Sequence, residues 1–222
     1  MDIKLIHFNF KLSANKIDSL ADRDFLFSEV DEYLNKSAEF IVDSRYKQFE
    51  VNQKNIDSFG ELLVSSSLTP TAVNSTTYYI DLPSDYRYFA RVNGTANSCR
   101  NVKIKVIQLD DLTYTLDSNV IKPSFKWGRC VAAFEQDRLY FYTDGYTLSN
   151  VVLSYIKNPA VMSIGGYNDI NGASKAVVQC DLPNHLHYDL IDVAVKMAQG
   201  VLENSFGYQV AAQLSDLNET SN

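Results

Sequence analysis

Ser28-Glu29-Val30-Asp31-Glu32-Tyr33-Leu34-Asn35-Lys36-Ser37-Ala38-Glu39-Phe40-Ile41-Val42 decides how the chain begins to fold. Val30, Tyr33, Leu34, Ala38, Ile41 and Val42 return every three or four residues, while Asp31, Glu32, Lys36 and Glu39 occupy the other side. That period marks an amphipathic helix, predicted over roughly residues 28–45, with Ser28 and Asp31 as a capping box. A second stripe lies near the other chain end, where Leu186, Leu190, Ile191, Ala194, Met197, Ala198, Val201 and Leu202 hold one face. Asp181-Leu182-Pro183 opens it, with Pro in a first turn that needs no N–H. Two apolar stripes of matching length bury each other most simply by packing together.

Between them the pattern changes. Six runs are strand-like by aromatic and β-branched content: Thr77 to Leu82, Tyr86 to Val92, Val102 to Ile107, Cys130 to Phe134, Arg138 to Tyr142 and Val151 to Ile156. Turns are expected at Leu82-Pro83-Ser84-Asp85, Asn93-Gly94, Gln136-Asp137 and Asp144-Gly145. Short intervals between strands favour an antiparallel sheet over βαβ units. The expected class is α+β, with helices from both chain ends packed together and an antiparallel β-sheet domain inserted between them. The division is 1–70 for an N-terminal arm and helices, 71–162 for the β domain, and 163–222 for a loop and C-terminal helices. A short helix is expected around Ile56 to Val64, a linker at Ser65 to Pro70, and a weaker helix reaching about Leu217. At the start, Ile6, Phe8, Phe10 and Leu12 alternate with His7, Asn9 and Lys11. Period two reads as a first strand, or as an extended arm that pairs with a neighbouring subunit.

The chain has 222 residues, 45% apolar and 21% charged, which excludes a disordered segment. Its net charge is −7, against the basic footprint of a general nucleic-acid clamp. A local basic patch is a separate matter. Arg87, Arg91, Arg100, Lys103 and Lys105 fall within nineteen residues, interleaved with Tyr86, Tyr88 and Phe89. On a regular strand Arg87, Phe89 and Arg91 would share a face, either as a solvated outer surface or as a stacking platform for single-stranded nucleic acid. Cys99, Cys130 and Cys180 lie far apart and read as reduced thiols of a cytoplasmic setting. No apolar run approaches the ~20 residues that span a bilayer. His185 and His187 are two apart and point away from each other on a helix, so no shared metal is expected. Cys130 sits among small apolar residues like a core thiol, and no nucleophile elbow or phosphate loop occurs. Asp110-Asp111 reads as a turn cap. The expectation is therefore no enzyme, with no catalytic, cofactor-binding or metal residues and no cofactor.

Several stretches taken together carry a resemblance. They are Tyr33 to Ile41, Arg45 to Lys54, Asp81-Leu82-Pro83-Ser84-Asp85-Tyr86, Lys122-Pro123-Ser124-Phe125-Lys126-Trp127, Leu153-Ser154-Tyr155-Ile156-Lys157-Asn158-Pro159, and Asp181 to Ile191. In this order the series resembles the ring-shaped structural proteins of the head-to-tail region of crAss-like bacteriophages. More distantly it is similar to the tail tubular protein A, or adaptor, of short-tailed phages. The resemblance spans residues 28–205 and leaves the segment before it unassigned.

It implies a structural virion protein made in the bacterial host cytoplasm, forming a homo-oligomeric, twelve-fold ring in the neck. The implied partners are other copies of itself, the portal, neighbouring tail or neck rings, and viral DNA passing without sequence specificity. No membrane is involved. Twelve copies at −7 sum to about −84, which suits a channel along which DNA slides. Tyr and Phe favour lateral interfaces, so Ile6, Phe8, Phe10, Leu12, Tyr140 and Tyr142 are the expected subunit-interface residues. The alternative function is a tail accessory that binds host surface glycan through the β domain.

Overall fold

In a computed structural model, residues 1–17, 25–51, 59–97, 100–169 and 171–201 are described. The chain forms two compact units. One combines Met1–Leu62 with the chain from Asn158 onward, and the other is Leu63–Lys157. The class is α+β, with helices at both chain ends around an inserted sheet.

The helical unit contains α1 (Ile3–Ile17), α2 (Phe27–Val51), a 3-10 turn at Gly60–Leu62, another at Asn184–Leu186, and α4 (His187–Val201). As expected, α2 and α4 pack on each other. Leu34, Ala38, Leu190, Ala194 and Ala198 are all essentially solvent-free. Ser37 is buried in the same seam, its Oγ 2.9 Å from the carbonyl of Leu34 and 3.1 Å from that of Leu190. One hydroxyl proton thus serves both helices without orphaning a buried polar group. The capping residue differs from the expected one. Glu29, third in α2, accepts the Leu26 N–H at 3.0 Å, which is the acidic half of a capping box without the hydroxyl half.

The alternating segment at the start is helix α1, not a strand or an extended arm. Its sequence satisfies two periods at once. Ile3, Ile6, Phe10 and Ala14 follow helical spacing and are buried in this unit. Phe10 meets Phe25 edge-on at 5.5 Å and stacks on Tyr33 at 6.4 Å. Packing against α2 and α4, rather than local propensity, selects the helical period.

The inserted unit is one eight-stranded sheet of order β1-β8-β4-β5-β6-β7-β3-β2. The strands are β1 (Leu63–Leu68), β2 (Thr71–Ala72), β3 (Thr77–Asp81), β4 (Tyr86–Ala96), β5 (Arg100–Ile107), β6 (Arg129–Glu135), β7 (Arg138–Tyr142) and β8 (Leu148–Lys157). Tyr78, Ile80, Val92, Val102, Ala132, Phe141, Leu153 and Tyr155 come from different strands yet form one apolar cluster, so the sheet curls around its inner face.

Four local expectations give way. Ser65 to Leu68 is not a linker: it lies in β1, the edge strand beside β8, where Ser65 and Ser154 hydroxyls bond at 2.8 Å. The helix expected at Ile56 to Val64 fails at its described end, since Gly60–Leu62 is a 3-10 turn and Leu63 begins β1; its residues 56–58 lie outside the described ones, as does the helix expected beyond residue 202. The sheet is not wholly antiparallel, because β5 and β6 run parallel from Lys103↔Arg129 to Ile107↔Ala133. The return between them is a crossover holding α3 (Leu112–Asp117). Gly94 does not end its strand either. A Cβ there would sit 2.9 Å from Ile104 Cδ1 and 3.0 Å from Leu148 Cδ1, so the glycine lets these two side-chain ends pack close over the strand.

Replacing Ala198 with Arg places an unpaired charge in the α2–α4 seam and should cost at least ~3 kcal/mol. Chemical denaturation checks this; an unchanged midpoint would show that the two helices do not share a core.

Candidate functional site

The most densely bonded polar site lies on α2, where Asp31 and Asn35 stand one helical turn apart. Asp31 Oδ1 lies 2.7 Å from His7 Nε2, and Tyr167 donates its hydroxyl to Oδ2 at 2.5 Å. The Ile164 N–H is shared between both carboxylate oxygens at 3.2 Å. Asn35 then pairs the backbone of Met162 in both directions, accepting its N–H at 2.7 Å and donating to its carbonyl at 3.0 Å. His7 and Asp31 are both buried. A cleft of about 440 Å³ lies beside this site, lined in part by Glu32, Asn35, Tyr167, Asp169 and Lys175.

Burial pushes the Asp31 carboxyl up, but hydrogen bonds from His7, Tyr167 and the Ile164 N–H outweigh it and hold the group below its ordinary 3.8. Both oxygens are committed to donors of the chain itself. The arrangement clamps the segment after β8 to α1 and α2; it offers no free base. His7 Nδ1 is buried and has no hydrogen-bond partner among the described residues. Sequence reasoning placed Asp31 on the polar side of α2 and missed the clamp. Its partners are 24 and more than 130 residues away, a separation that no local pattern reports.

Cys130, Cys180 and His187 are shielded or engaged. Burial pushes the Cys130 thiol up to about 12, and Cys180 is raised by the same cause. Cys99 lies outside the described residues. His187 is buried, with Nε2 3.0 Å from the Leu182 carbonyl, and desolvation holds it below its ordinary value. His185 is exposed on the preceding turn. Among the described residues, no group of three or more His, Cys, Asp or Glu side chains is placed to hold a metal ion. Nor is any described helix long and apolar enough to cross a membrane.

The expected interface residues separate. Ile6 and Phe10 are 0% exposed within their own unit, so they present nothing to another subunit. Phe8 is 61% and Leu12 42% exposed, on the opposite side of α1 together with Leu5. Tyr140 and Tyr142 are half-buried on the outer side of β7, and Tyr140 lies 5.9 Å from Tyr79.

The basic cluster also separates. Register shifts at Arg87 and Ala90 change which side chains share a face of β4. Phe89 turns inward and meets Phe134 edge-on at 5.5 Å, so it is not a stacking platform beside Arg91. Arg100 lies over the Phe125 ring and donates to the Lys126 carbonyl at 3.1 Å. Arg91, Lys103 and Lys105 remain together on the outer face, exposed, with Asn93 opposite Lys103 in the ladder. Their side chains form no hydrogen bond or ion pair among the described residues.

No protein-family model matches this chain, and no curated protein is found to be similar to it.

Because the folded Asp31 sits below 3.8, its contribution is complete above that pH and drains away as pH falls through the folded value. Asp31→Asn should therefore cost about 2 kcal/mol at pH 7 and progressively less below pH 3.8. Urea midpoints of both proteins across that range check it; a gap that stays constant with pH would show that the carboxylate carries no such load.

Proposed function

We propose that this chain is a structural virion protein that assembles into a homo-oligomeric ring of the head-to-tail connector. In this reading it sits below the portal, joins it to the tail and surrounds the DNA exit channel without reading sequence. One observation carries the assembly part. Helix α1 is apolar on two opposite sides: Ile3, Ile6, Phe10 and Ala14 fill the helical unit, while Leu5, Phe8 and Leu12 form a solvent-facing stripe. A contiguous apolar stripe left bare on the second side of a helix marks a surface that is normally covered as well. Another subunit supplies that cover in a ring, through a helix face rather than an added strand. Support for the phage setting comes from the order of sequence motifs described above and from the acidic balance of −7.

The test is sedimentation of the purified full chain, alone and carrying Phe8→Ser with Leu12→Ser. The native protein should sediment as a large discrete particle. The double variant should keep its thermal midpoint, because these side chains are not in the fold's own core, yet associate at least tenfold more weakly. A native protein that stays a small oligomer and is retained on host glycan would favour the tail-accessory reading instead.

A further inference from the structure

The inserted sheet unit carries two charged surfaces of opposite sign. Residues 86–107 hold five Lys and Arg and no Asp or Glu, in a chain whose remaining residues have 15 basic against 27 acidic. Of these five, Arg91, Lys103 and Lys105 project together from the outer face of β4 and β5. Beside them is a groove of about 480 Å³ lined by Asn93, Thr95, Asn101, Lys103 and Val152. The crossover that follows β5 is the reverse. Residues 108–121 contain Asp110, Asp111 and Asp117 and no cation. All three carboxylates are exposed, and none forms a hydrogen bond or ion pair among the described residues. The same segment exposes Tyr114 at 73% and Val120 at 76%, with Leu109 also largely uncovered.

Three exposed, unpaired cations on a grooved strand face, and three exposed, unpaired acids flanked by bare apolar side chains, fit each other in sign and in kind. We infer that the outer face of β4–β5 is the docking surface for the 108–121 crossover of a second copy of this chain. Such a contact is heterologous: each subunit gives its crossover to one neighbour and its basic face to the other. Heterologous contacts repeat around an axis, and they close into a ring when the rotation per subunit divides the full turn. The inference rests on the ring reading and names one contact within it. Charge supplies steering and orientation, while Tyr114, Val120 and Leu109 supply area removed from water. A polyanion such as DNA is the competing occupant, but the overall acidity of the chain opposes it.

Charge exchange tests this directly. One variant carries Lys103→Glu and Lys105→Glu, the other Asp110→Lys and Asp111→Lys. All four positions are exposed, so both variants should melt like the native chain. Each alone should self-associate at least tenfold more weakly, and added salt should weaken native association as well. An equimolar mixture should recover assembly, because alternating subunits restore opposite charges at every boundary. Native-like assembly by either variant alone would overturn this contact while leaving the ring reading intact. A native chain that never assembles would overturn both. Loss of duplex DNA binding by the lysine variant, with self-association unchanged, would assign the face to DNA and likewise refute the inference.

Discussion

The close seating of α2 against α4 is the contact on which the rest of the chain depends. Ala38, Ala194 and Ala198 keep the seam narrow, and Ser37 bonds carbonyls of both helices without leaving a polar group unsatisfied. This seam joins segments separated by about 150 residues, so the sheet between them is an insertion held at both ends. A third helix, α1, completes the unit through Ile3, Ile6 and Phe10, with Gln199 of α4 donating to the Ala14 carbonyl at 3.4 Å. The clamp of Asp31 and Asn35 then fixes the chain leaving the sheet. Its two side chains satisfy backbone that a regular element would otherwise pair.

Once those requirements are met, the features left over are what a protein acting by assembly would need. The apolar stripe of Leu5, Phe8 and Leu12 contributes nothing to the chain's own core. Arg91, Lys103 and Lys105, like the acids of the 108–121 crossover, form no hydrogen bond or ion pair among the described residues. Buried His and Cys side chains are shielded or engaged in structure.

The two long amphipathic helices were legible because their period of 3.6 is unambiguous and no glycine interrupts either stripe ahead of Gly200. Most strands were legible from Tyr, Ile and Val content. Segment 3–14 was not, because its apolar residues fit periods of two and of 3.6 equally, and only packing chooses. Edge strand β1 was hidden by Ser65-Ser66-Ser67, a composition that reads as a turn but tolerates an edge. The parallel β5–β6 pair depends on a crossover whose return path no local pattern encodes. The bulges in β4 shift Phe89 away from Arg91, so a strict alternation misassigned the basic face. The Asp31 clamp was illegible for the same reason as the crossover: its chemistry is local in space and remote in sequence.

The central claim is that the chain acts by closing into a ring. Averaged electron micrographs of the purified full chain test it most directly. The account predicts closed particles with rotational symmetry and a central opening, at twelve-fold if the neck reading holds. Particles no larger than the 25.1-kDa chain itself, at concentrations of tens of micromolar, would contradict it.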